Sequence, residues 1–160
     1  MGYEMGFSIC KKGEGDFNER EVVCLDYWCS EGRSIKMFVD QCTKKCNFRY
    51  SEPVVLTEDD LKVIRAKLNS AYAGSDVVGE ATMEYIFEGI NDYYEDTDMI
   101  VARARKVGAN VNTVLMAAKN FYWACDEMSY STFISFREFI NGIANMNIND
   151  EYELVCWVSD

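Results

Sequence analysis

A carboxylate recurs at every fourth residue in Asp76, Glu80, Glu84, Glu88, Asp92 and Asp96, and no Lys or Arg occurs between Lys67 and Arg103. Glu95 and Asp98 add to the row. On a helix, residues four apart stack on nearly the same face, about 6 Å from one another. Met83, Ile86, Phe87, Ile90 and Tyr94 fill the other side at spacings of three and four, the amphipathic pattern. The spacing predicts one helix over residues 78–94, with an apolar face and a purely anionic face. Near its N-terminus the helix dipole favours Asp76 and Glu80, but Glu88 and Asp92 lack that support.

Like charges four apart each cost roughly 0.2–0.5 kcal/mol. A face shaped for stability alone would interleave Lys. Two readings follow. The row is the solvated face of an acidic protein, or it is a surface that meets a basic partner. Carboxylates at this spacing are suited to imitating a nucleic-acid backbone, whose phosphates attract Arg and Lys. On the second reading Asp76, Glu80, Glu84, Glu88, Asp92, Glu95 and Asp96 are the partner-binding residues.

The net charge of −11 is unevenly placed. Residues 1–50 hold eight acids and eight bases, whereas residues 51–160 hold nineteen acids and eight bases. This argues against nonspecific binding to nucleic acid or to an anionic membrane. Hydrophobic residues make up 49% of the chain, enough for a packed core. The start, Met1-Gly2-Tyr3-Glu4, has neither a basic region nor an apolar run, which predicts no secretory leader and a cytoplasmic location. No apolar segment approaches membrane-span length. The seven cysteines then read as reduced thiols, several of them buried. The chain has no histidine, which removes the usual general base and the commonest metal ligand.

Along the chain, residues 3–11 and 20–26 read as strands separated by a turn at Gly13-Glu14-Gly15-Asp16. Ser30 is placed to cap a helix over 31–45 that turns Ile35, Phe38, Val39 and Cys42 inward. Pro53-Val54-Val55-Leu56 reads as a connector. Thr57-Glu58-Asp59-Asp60 is a helix start, with Leu61, Ile64, Leu68 and Tyr72 on its core face. Beyond the acidic row, a helix from Thr97 ends at Gly108, and another spans 111–119. Residues 120–125 either continue that helix or form a strand. A helix over 131–145, a loop at 146–150 and a strand over 152–158 complete the chain.

Met1-Gly2-Tyr3-Glu4-Met5-Gly6-Phe7-Ser8 with Lys11-Lys12 is similar to the M-G-L-D-M-Y-L-Y-K-K opening of a family of small proteins of tailed bacteriophages. Tyr27-Trp28 and Phe38-Val39 match that family's Y-W-R-K-A-N-x-I-H-x-W-F-V without a gap. Cys46 and Val55-Leu56-Thr57-Glu58-Asp59-Asp60-Leu61 resemble its Cys followed by V-S-x-E-x-L. Phe121-Tyr122-Trp123, the helix at 131–145 and Glu153-Leu154-Val155-Cys156-Trp157 resemble its aromatic strand, acidic-aromatic helix and closing strand. The resemblance covers residues 1–70 and 119–158. It implies a fold outline with a strand at 120–125 and a phage origin, not an activity. The family's Arg, Lys, Asn and His fall on Cys29, Ser30, Gly32 and Ile35, and its second Trp on Met37, so any chemistry of those groups is lost.

Four further readings are weighed. Tyr93-Tyr94 beside Glu95-Asp96 combines aromatic anchors with charge and suits an interface hot spot, although a place in the core is the preferred reading for both. Cys24, Cys29, Cys42 and Cys46 offer four thiols for zinc, yet lack the usual C-x2-C knuckle, and buried thiols explain them as well. Ala104, Gly108 and Thr113-Val114 have the spacing of a helix-turn-helix, flanked by Arg103, Arg105 and Lys106. A plain helical hairpin produces the same spacing, and residues 111–119 carry one base. Carboxylate pairs permit metal-dependent or glycosidase-like catalysis, but a solvated row does not drive carboxyl pKa values apart. Cys29, with Arg33 four residues on, is a weak candidate nucleophile.

The resulting expectation is one α+β domain over residues 1–160. A small antiparallel sheet from 3–11, 20–26, 120–125 and 152–158 is packed with helices, and an acidic helical insertion occupies about 73–118. The expected function is non-enzymatic: binding, without cofactor or metal, to a basic surface of a host nucleic-acid-handling or defence protein. A DNA-binding regulator using 98–119 is the alternative. A small-molecule-binding protein or enzyme is the third.

Overall fold

The computed structural model describes residues 4–13, 22–29, 32–44, 53–90, 92–125, 128–144 and 151–159. Its architecture is α+β, and its internal contacts divide the chain into two units. One is Met1–Arg65 with Ser135–Asp160, and the other is Ala66–Ile134.

The first unit is built on a four-stranded antiparallel sheet of order β2-β1-β4-β3. The strands are β1 (Glu4–Lys11), β2 (Val22–Cys29), β3 (Val54–Leu56) and β4 (Tyr152–Ser159). The period-two alternation of β1 sends Met5, Phe7 and Ile9 to one face, all buried. Phe7 meets Tyr27, Phe136 and Phe139 with ring centroids 6.0, 5.4 and 5.6 Å apart. Helix α1 (Gly32–Thr43) buries Ile35, Phe38 and Val39, as its spacing predicts, while Cys42 is only half-buried. Helix α2 (Glu58–Ala71) starts where the sequence indicates. The Thr57 N–H donates to Asp60 Oδ2 at 2.9 Å and the Asp60 N–H donates to Thr57 Oγ1 at 3.2 Å, a reciprocal capping box.

The second unit holds α3 (Ser75–Val78), α4 (Glu80–Phe87), α5 (Thr97–Lys106) and α6 (Val111–Cys125). Helix α7 (Tyr130–Ala144) begins in this unit and ends in the first. The core of the second unit joins Met83, Ile86 and Phe87 to Ile100, Val114, Phe121 and Phe133, all buried. Gly74 sits at φ +89, and a Cβ there would stand 3.2 Å from Ala117 Cβ. Only glycine allows that backbone and that approach together. The turn from α5 to α6 is a Schellman stop. The Ala109 N–H donates to Ala104 O at 3.0 Å, the Gly108 N–H donates to Arg105 O at 3.1 Å, and Gly108 is left-handed.

Three expectations are corrected. Residues 120–125 are helical, not a sheet strand: α6 runs through Cys125 because Val114, Ala117, Ala118, Phe121, Tyr122 and Cys125 keep helical spacing and are all buried. The fourth strand is β3, in the stretch read as a connector; Pro53 precedes it and, among the described residues, it pairs with β4 alone. The single helix over 78–94 does not exist. Gly79 at φ +97 separates α3 from α4, and Gly89 at φ +72 follows the last turn of α4. Parts of the turn at 13–16 and the second strand's start, with the Ser30 cap, Cys46 and the loop at 146–150, lie outside the described residues.

Candidate functional site

The break at Gly79 and the turn at Gly89 distribute the carboxylates over four pieces of backbone. Asp76 is on α3, and Glu80 and Glu84 are on α4. Glu88 is the residue after α4, Asp92 and Glu95 lie in the following turns, and Asp96 precedes α5. Asp76, Glu84, Glu88, Asp92 and Glu95 are exposed, and Glu80 and Asp96 are half-exposed. The row is therefore an anionic surface segment rather than one helical stripe.

Local chemistry explains two of its members. Glu80 Oε1 accepts the Tyr72 hydroxyl at 2.7 Å. Asp92 Oδ1 accepts the Tyr94 N–H at 2.8 Å and the Glu95 N–H at 3.2 Å, closing an Asx turn. Among the described residues, no Lys or Arg forms an ion pair with any carboxylate of 76–98. Arg103, the first base after Lys67, turns elsewhere. Its Nη1 donates to Ile86 O at 3.0 Å and Glu88 O at 2.6 Å, with Tyr85 O at 3.5 Å. Its guanidinium carbon stands 6.0 Å from the centre of the Tyr85 ring. The cation satisfies the orphan carbonyls at the end of α4 and leaves the carboxylates to solvent.

Tyr94, predicted on the buried side, is instead 75% exposed. Met99, five residues on, is also exposed, and Glu95 and Asp98 are close in sequence. The segment thus offers apolar anchors among carboxylates.

The other candidate chemistries fare differently. Cys24 and Cys29 lie five residues apart on extended β2, which sets their Cα atoms about 16 Å apart. That is too far for two ligands of one zinc ion, so the four-thiol arrangement is ruled out as a single site. Among the described residues, no group of three or more Cys, Asp or Glu side chains is placed to hold a metal. The helix-turn-helix spacing at 98–119 corresponds to the α5–α6 hairpin and its Schellman stop. Arg105 and Lys106 are exposed at the end of α5, but Arg103 is committed to α4.

Cys156 is buried on β4, and its thiol lies 3.5 Å from the Val54 carbonyl oxygen. Burial pushes this thiol well up, and the carboxylates of Asp40 and Asp60 push the same way. It is held neutral and is a poor nucleophile. The fold keeps the proton, while the unfolded chain loses it near pH 8.5. Its stabilising effect is therefore complete below that pH and is lost as pH rises above it. Each pH unit above the unfolded value costs about 1.4 kcal/mol. We expect urea denaturation to show about 1 kcal/mol less stability at about pH 9.5 than at about pH 8. Cys156→Ala should remove that part of the pH slope.

Sequence reading passed over one feature. On α6, Met116 and Trp123 are exposed on the side opposite the buried face. Two large apolar residues seven apart, out of phase with the core positions, are the signal that finds them.

Among the described residues, no helix is long and apolar enough to cross a membrane. Comparison with protein-family models, curated proteins and solved structures finds no match to this chain.

Proposed function

We propose that this chain is a non-enzymatic interaction protein whose anionic segment, residues 76–98, occupies a basic surface on another protein and keeps nucleic acid from it. The observation that carries this reading is the use of Arg103. Arg103 donates to backbone carbonyls at the end of α4, so among the described residues the carboxylates face water without a paired Lys or Arg. Their mutual repulsion is relieved when a cationic surface arrives. Tyr94 and Met99 supply contact area within the same segment. The resemblance of residues 1–70 and 119–158 to tailed-phage proteins suggests the setting: a nucleic-acid-handling or defence protein of the host.

Long-range steering speeds such an encounter and makes it sensitive to salt. The test is capture of proteins from a bacterial lysate at about 50 and about 500 mM salt. Basic proteins should be retained at the lower concentration, lost at the higher, and displaced by added duplex DNA. Changing Glu84, Glu88 and Asp92 together to Lys should weaken retention at least about tenfold, or 1.4 kcal/mol. Equal capture by that triple variant, or capture that duplex DNA does not compete, would sink the reading.

A further inference from the structure

We draw no further inference here: the strongest candidate, the exposed face of helix α6 that carries Met116 and Trp123, supports none because nothing in the structure shows what covers it.

Discussion

Phe121→Ala should destabilise the protein by about 3–5 kcal/mol. Phe121 is 1% exposed, with ring centroids 5.7, 5.2, 5.5 and 5.1 Å from those of Phe87, Tyr122, Tyr130 and Phe133. Truncation removes the transfer free energy of the ring and leaves a cavity among α4, α6 and α7 that collapses only in part. The pattern across neighbours is as informative as the size. A helix turns both Phe121 and Tyr122 inward and Trp123 outward. A strand would pair Phe121 with Trp123 on one face and set Tyr122 on the other. Tyr122 is 7% exposed and its hydroxyl donates to Ile90 O at 3.2 Å, so Tyr122→Ala should also cost several kcal/mol. Trp123→Ala should fall within about 0.5 kcal/mol of the parent. Urea midpoints at constant m-value measure all three. Large losses at 121 and 123 with little at 122 would mean that residues 120–125 are not helical.

That stretch shows where sequence reading reaches its limit. Phe121-Tyr122-Trp123 is a short aromatic run, and periodicity within so few residues does not separate strand from helix. Extending the window back to Val114 does separate them, because the buried positions continue at spacings of three and four. The resemblance to the phage family pointed to a strand and outweighed that signal. By contrast, β1, β4, α1, α2 and α7 were legible from alternation, capping residues and core spacing, because each is longer than a turn and carries its own start or stop chemistry. The Thr57–Asp60 capping box and the Gly108 stop are cases where side chain and backbone agree.

The anionic segment was legible as a charge pattern and not as a shape. A carboxylate every fourth residue suggests a continuous helix, and one glycine inside a helix costs only about 1 kcal/mol. Gly79 and Gly89 were therefore easy to pass over. Both adopt positive φ, so they are breaks and not tolerated interruptions. The consequence is electrostatic. The breaks at Gly79 and Gly89 remove the fixed i, i+4 geometry between Asp76 and Glu80 and between Glu88 and Asp92, and let Asp92 cap a turn. Self-repulsion along the row is relaxed, yet the side chains remain in water. The geometry lowers the internal cost of the charge without neutralising it.

Arg103→Met should cost about 2 kcal/mol and loosen the segment it borders. Hydrogen bonds from a charged donor are worth roughly 1.5–3 kcal/mol each, but the guanidinium is partly solvated and its bonds to Tyr85, Ile86 and Glu88 share one nitrogen, so their contributions do not add. Met keeps much of the side chain's apolar bulk, so the loss reports the cation. Arg103→Lys is the sharper comparison. An ammonium retains the charge but not the planar guanidinium over the Tyr85 ring, and should recover less than half of the loss. Amide hydrogen exchange should rise at residues 86–90, where the α4 end loses its cap, and stay unchanged in β1, which belongs to the other unit. The variant also tests what the proposed docking depends on. Replacing Arg103 makes the surface more anionic, which on charge alone would tighten binding to a basic partner. The same change frees a segment that must be ordered again on docking, at about 1–2 kcal/mol per residue. For more than one or two residues, that ordering cost exceeds the gain from a single exposed charge. Retention of basic proteins should therefore fall in Arg103→Met. A rise would show that net charge, and not the end of α4 that Arg103 holds, governs the contact.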